Sequence, residues 1–443
     1  MKRLSSTSLL AVLAFAVNAN AGSDLPPLEQ TPISTEPTTD WWDDSNDWSL
    51  FDGKITASLY GNIIYGGTTG VMESLYGAGH DPKRDEGWTV QGLEPGISLR
   101  LTDHIEGFAS GILFTDGDGE WDTELEELFG VVRDLPGGID IRFGQMLNRV
   151  GIQNTHHLHS WDQTDSPMVI ARFLGEDGLI TRSAELNWRA PIGDPLTSTT
   201  QFTASYGEVR PHDAHGHGKE HGDEHGDEHG AAFEAEGAEF NDRVFSARVM
   251  HRKRFDDFTS ITLGGNYLYG DNEFGRNNQI GGLDVEYVWR ENGLEPGGRA
   301  LRWRSELFVR DVAARSGELH EEHDDHEDDD HVEHDDDHAD DGHDEAAEMI
   351  SRSFTEFGAY TSVVYEWNSH WDTGLRIGYV GGISELGLDE RFRISPSVTY
   401  YPMADRRFHI RGQYNFDHGS EAGSDHSVWI QAGFSFGAGN EVR

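Results

Sequence analysis

Residues 318–345 read ELHEEHDDHEDDDHVEHDDDHADDGHDE. Within these 28 positions stand 17 Asp or Glu and seven histidines: His320, His323, His326, His331, His334, His338 and His343. A second run, HGKEHGDEHGDEHG with two further histidines before it, carries His212, His215, His217, His221, His225 and His229. Thirteen of the 23 histidines therefore sit in two patches. Imidazole nitrogen suits zinc, copper and nickel, and carboxylates add ligands and charge. The chemistry on offer is thus loose, multiple capture of divalent transition metal. No spacing here fixes a tetrahedral set, so affinity should be modest, and protonation of the imidazoles at about pH 6 should release the ions. The plainer reading is a hydrated acidic coat, from which His at every third or fourth position sets these runs apart. Neither run can bury apolar surface, so neither belongs to a core.

A third cluster is smaller. Residues 151–162 read GIQNTHHLHSWD and bring His156, His157, His159 and Asp162 together in sequence. Two imidazoles and a carboxylate would hold Zn²⁺ with one position left open. The competing reading is a polar constriction in which His, Trp161 and Arg172 only pack and hydrogen-bond a loop. Thiolate sites are excluded, because the chain has no cysteine. HExxH does not occur, and the Gly-x-Ser-x-Gly match at Gly433 to Gly437 lies within the last alternating segment rather than at a strand-to-helix turn, so the sequence gives an enzyme no support. No cofactor is required; zinc or another divalent transition metal is expected as a ligand.

The elements that must position these groups repeat with period two. Sixteen alternating segments are predicted from residue 54 to 436, near 54–67, 94–102, 106–116, 124–134, 138–150, 182–191, 197–208, 243–255, 259–270, 277–291, 299–313, 351–367, 371–382, 390–402, 406–417 and 425–436. In the last, Val428, Ile430, Ala432, Phe434 and Phe436 share one face, with Trp429, Gln431, Gly433 and Ser435 on the other. A mean hydropathy of −0.61 with 53 Gly suits strands that alternate apolar-out and polar-in, an all-β transmembrane antiparallel barrel. Odd-numbered connections are mostly long and even-numbered ones tight, as in barrels with long external loops and short periplasmic turns. Both His-rich stretches, 209–242 and 314–350, fall in odd connections and so on one external face. The connection 151–181 is the candidate constriction. Arg142, Arg248, Arg302, Arg304, Arg376 and Arg411 fall on predicted inward faces. With Asp162, Glu176 and Asp177 opposite them they would set a field across the lumen, although polar side chains line any water-filled barrel.

The amino terminus gives an address. Lys2 and Arg3, the apolar run Leu9 to Val17 and the small-residue step Ala19-Asn20-Ala21 predict a signal peptide over 1–21. Residues 22–50, with Trp41, Trp42 and Trp48, are expected to be a largely disordered periplasmic lead-in; the barrel is expected over 51–443. A net charge of −46 makes nucleic acid an unsuitable partner. The signal peptide, the sixteen segments, the aromatic last strand and the run Phe143-Gly144-Gln145-Met146-Leu147 leading through the third long connection to the Arg182 strand resemble a Gram-negative outer-membrane porin. That stretch is similar to phosphate-selective-type porins and to little-characterised outer-membrane proteins linked to zinc. The resemblance implies outer-membrane lipid and the barrel assembly machinery as partners, a homotrimer, and a third loop folded into the lumen. Two features depart from it: residues 437–443 follow Phe436, and the external negative charge argues against phosphate. The expected role is passive or facilitated uptake of divalent metal, zinc foremost. The alternatives are a general small-solute porin with a metal-buffering coat and a non-conducting metal-binding surface protein.

Overall fold

The computed structural model describes residues 48–51, 53–70, 86–116, 119–175, 178–210, 233–234, 240–293, 298–316, 351–420 and 423–437. Strands β2 (Ile55–Thr68), β3 (Glu86–Arg100), β4 (Ile105–Thr115), β5 (Trp121–Leu135), β6 (Ile139–Leu147), β7 (Ile180–Ala190) and β8 (Ser198–Val209) each pair antiparallel with the next. The series continues through β10 (Arg243–Arg254), β11 (Thr259–Asp271), β12 (Asn277–Arg290), β13 (Ala300–Ser316), β14 (Ser351–Asn368), β15 (Trp371–Val380), β16 (Arg391–Tyr400), β17 (Phe408–Gly419) and β18 (Gly423–Gly437). β18 returns to β2, from Ser427↔Thr68 to Gly437↔Ser58, and closes a barrel of sixteen strands. Two short strands add to it: β1 (Trp48–Leu50) pairs with the start of β2, and β9 (Phe233–Glu234) with the end of β13. Trp48 docks at the rim, 6.2 Å from the Phe436 ring. Trp41, Trp42 and the rest of 1–47 lie outside the described residues.

Alternation decides the facing. On β18, Val428 and Ile430 are more than half exposed while Trp429 and Gln431 are buried. On β17 the outward Ile410 and Tyr414 alternate with the buried Arg411, Gln413 and Asn415. On β13 the outward Leu307 and Val309 alternate with Arg304, Glu306 and Arg310. Apolar side chains outside and charged ones inside invert the pattern of a water-soluble protein; the outer solvent for this wall is hydrocarbon. Aromatic pairs stand near strand ends, including Tyr65 with Trp88 at 4.8 Å and Trp371 with Tyr400 at 4.7 Å, as expected at the two lipid–water boundaries. Closure satisfies every strand edge, which lipid requires. The chain is a transmembrane barrel of the Gram-negative outer-membrane type, and sixteen strands are wide enough to leave an aqueous interior.

The strand count matches the sequence expectation, and one boundary does not. β3 begins at Glu86, eight residues before the predicted segment. Its first half contains an irregularity: Asn62 pairs with Gly92 and Ile63 with Val90, so Gln91 is an extra residue. That bulge, beside two glycines, breaks the period of two by which a strand is recognised.

Candidate functional site

β6 ends at Leu147 and β7 begins at Ile180. The chain between them does not arch over the mouth; it runs through the lumen, as the porin resemblance implied. Gly151 makes the first turn inward, at φ +65 with its Cα against Glu306, where any Cβ would overlap that carboxylate. Glu306 accepts the backbone N–H groups of Ile152 (2.9 Å) and Gln153 (2.8 Å) and the hydroxyl of Tyr360 (2.6 Å). The loop then reaches the opposite wall at β3 and β5, crosses back to β13 and β15–β17, and rises as helix α1 (Met168–Leu174). Asn154 ties the base, donating to Asn148 O at 2.7 Å and accepting from Leu179 N–H at 2.7 Å.

α1 is buried on all sides. Val150, Met168, Val169, Ile170, Phe173, Leu174 and Leu179 pack on Val244, Leu268, Ile280, Phe308, Tyr360 and Val380 of the inner wall. A porin wall is otherwise polar, so this is a private apolar seat for the helix. Each buried side chain contributes roughly 1.5–3 kcal/mol. Wall glycines make the room: a Cβ on Gly358 would lie 2.6 Å from Val169. Arg172 latches the helix, donating to Glu356 at 2.8 Å and to the carbonyls of Gly381 and Asp389. Arg310 bonds the other oxygen of Glu356 at 2.6 Å and lies over the Phe173 ring.

The inward arginines prove to be mostly anchors. Asp162 is bonded by Arg302 and, at 3.3 Å, by Arg304, which also holds Glu286 at 2.8 Å. Burial alone would raise the Asp162 carboxyl, but these guanidiniums outweigh it and hold the group below the usual carboxylate range. Asp165 meets Arg376 at 2.5 Å and Arg393 at 2.9 Å. Arg411 donates to the Gln163 carbonyl and Arg248 to the Gly151 carbonyl. Arg142 pairs with Glu185 at 2.9 Å. The residues expected to set a free transverse field are thus engaged with the loop and its neighbours. Glu176 and Asp177 lie outside the described residues, as do all thirteen histidines of the two runs, His212, His215, His217, His221, His225 and His229 in one and His320 to His343 in the other.

The structure divides the four residues grouped by sequence. Asp162 stands on the arginine side and belongs to no His cluster. His156 folds back on its own loop, its Nδ1 2.7 Å from the Ile152 carbonyl. His157 and His159, with rings stacked 5.8 Å apart, face the other wall. There His157 Nδ1 lies 3.2 Å from Glu126 and its Nε2 2.8 Å from Glu127, while His159 Nδ1 lies 2.6 Å from Glu94. Burial would depress the His157 imidazole, but the two carboxylates outweigh it and hold it well above its ordinary value. One ligand atom from each of Glu94, Glu126 and His157 lies within 4.8 Å of the others. The two imidazoles of this patch were among the sequence candidates, but its carboxylates Glu94, Glu126 and Glu127 were missed by sequence reasoning. Its signal was present: Leu125-Glu126-Glu127-Leu128 breaks strict alternation. The break is a bulge, Ser110 pairing with Glu127 and Gly111 with Leu125, which sends both leucines out and both glutamates in.

No family model matches the chain. A 68-residue stretch is 38% identical to an uncharacterized protein of Aquifex aeolicus (strain VF5), and covers 15% of this chain and 14% of that protein. Among solved structures, the channel DcaP of Acinetobacter baumannii is 10% identical with a TM-score of 0.49, over 88% of this chain and 100% of that one. An anion-selective porin from Comamonas acidovorans is 9% identical with a TM-score of 0.48, over 86% and 100%. A trimer form of OmpT of Vibrio cholerae is 9% identical with a TM-score of 0.46, over 86% and 99%. The barrel described above rests on its strand pairings, not on these likenesses, and none of them supports a link to zinc.

Proposed function

We propose that this chain is an outer-membrane channel for passive or facilitated uptake of divalent metal ions, zinc foremost, in which the two His/acid runs gather ions at the outer mouth. One observation carries the reading. β8 and β10, which bracket the first run, and β13 and β14, which bracket the second, meet at the mouth from which the luminal loop descends. The strand ends that flank the runs thus lie at the same end of the barrel as the start of the luminal loop. Of the net charge of −46, they hold a large share, and such charge raises the local concentration of dications in a salt-dependent way. The assembled form is expected to be a homotrimer in outer-membrane lipid, inserted by the barrel assembly machinery.

The test is zinc entry into proteoliposomes loaded with a fluorescent chelator. The full chain should admit zinc, and removal of 210–238 and 318–345 should slow entry at low micromolar zinc while neutral sugars pass unchanged. A barrel that carries no current in a planar bilayer sinks the transport reading; zinc entry indifferent to the deletions sinks the capture reading.

A further inference from the structure

The acid–imidazole patch on β3 and β5 is built like a ligand set. Glu94, Glu126 and Glu127 are 2%, 4% and 6% exposed, and His157 is 5% exposed. Three buried carboxylates in one patch demand a compensating cation. Arginine supplies it across the lumen at Asp162 and Asp165, whereas here the ion partners of Glu127 and Glu94 are the imidazoles of His157 and His159. Two of the three donors that would face a metal, His157 and Glu94, are held from behind. Glu127 sits on His157 Nε2 at 2.8 Å and accepts the Leu147 N–H at 2.8 Å through its other oxygen. This is the carboxylate–histidine arrangement that fixes a ligating imidazole's tautomer and aim. His159, stacked on Tyr60 at 3.6 Å, holds Glu94 by Oε2. Glu94 Oε1 is then buried with no hydrogen-bond partner, a cost that a bound cation would remove.

We propose that Glu94, Glu126 and His157 form a divalent-metal site in the lumen, with Glu127 and His159 as positioning residues. Mixed imidazole and carboxylate donors select a borderline cation such as Zn²⁺ over Ca²⁺ or Mg²⁺, which take six or more oxygens or keep their waters. Three protein ligands leave a fourth position open, as suits an ion that must leave again. The inference deepens the uptake reading by naming where an ion gathered at the mouth is next held, and it rests on that reading for its role, not for its existence.

Anomalous diffraction from crystals of the full chain soaked in Zn²⁺ tests it. A peak about 2.0–2.2 Å from donor atoms of all three residues is expected. Zinc peaks elsewhere with this cluster empty would overturn the site. Glu94→Gln and Glu126→Gln should each abolish the luminal peak and raise the zinc concentration that half-blocks potassium current at least tenfold, each variant's block being read relative to its own zinc-free current. Half-block unchanged in both folded variants also counts against the site. The two readings fail separately: zinc flux with an empty cluster removes the site and keeps the uptake channel, whereas an occupied cluster in a barrel without zinc flux does the reverse.

Discussion

Asp165 is the residue on which the luminal loop turns. One carboxylate bonds Arg376 and Arg393 and also accepts from Gln413 at 2.8 Å and Asn415 at 3.2 Å. Removing its charge takes the carboxylate from the buried Arg376 and one of two from Arg393, which keeps Asp417 at 2.5 Å, and breaking a buried pair in this way costs about 3–5 kcal/mol. Asp165→Asn should therefore lower the thermal midpoint of the detergent-solubilised barrel and give larger, noisier single-channel currents as the loop loosens. An unchanged current would mean that the loop does not narrow the path. Asp162 predicts a pH dependence with a definite sign. Its folded pKa is depressed, so its stabilisation is present above the unfolded value of about 3.9 and is lost as pH falls through the lower folded one. The stability gap between the natural chain and Asp162→Asn should be constant from neutral pH to about pH 4 and shrink below it; a gap that narrows between pH 8 and 6 would contradict the clamp. Sequence showed that Asp162 and the arginines matter but not that they belong together, because pairs such as Arg411 with Gln163 are 248 positions apart.

At the scale of elements, α1 and its seat are a matched pair. Gly358 and Gly378 leave the hollow that Val169 and Met168 fill, the former too tight for any Cβ without movement. Gly358→Leu should expel the helix while leaving β14 able to pair, raising conductance with little loss of barrel closure measured by heat-modifiable gel migration. Gly151→Ala acts at the other end, by strain of roughly 1–3 kcal/mol at a left-handed turn as well as overlap with Glu306. The strands were legible because a half-lipid, half-water wall imposes period two over every segment. The bulges at Gln91 and Glu126 were not, since a bulge is an interruption of the very period that identifies a strand. Both interruptions stand where the wall meets the loop: Gln91 donates to the Thr164 carbonyl at 2.9 Å, and Glu126 faces His157. Departures from alternation in an otherwise regular strand are therefore the places to look for inward chemistry.

For the whole molecule, charge separates the two His/acid runs from the barrel wall. The two His/acid runs carry acids with hardly a base, whereas the described lumen matches many of its carboxylates to arginines. Zinc held by the runs should thus weaken several-fold as salt rises from about 10 to 150 mM, since the screening length falls from about 30 to 8 Å, and should be released between pH 7 and 5; zinc at the luminal cluster should resist the same salt change. Equilibrium dialysis of the full chain resolves the two populations, and a single salt-sensitive class would count against an inner site. Fold class and strand count followed from the sequence because they depend on a repeating physical constraint. Where ligands converge did not, because it depends on a loop whose neighbours come from every quarter of the wall.

The loop's partners also set the order in which the molecule can be built. Thr164 donates its N–H to Gln413 on β17, 249 positions later, while its carbonyl accepts from Gln91 on β3, 73 positions earlier. The two contacts cannot persist together until β18 has met β2, because only closure leaves just those two strands between β17 and β3. Long-range contacts of this kind form late. The nascent barrel accordingly passes through a closed but unplugged stage, a wide hole in the membrane that ends when Asp165 finds its arginines. A variant arrested there would reveal itself not by failing to insert but by making its host leaky.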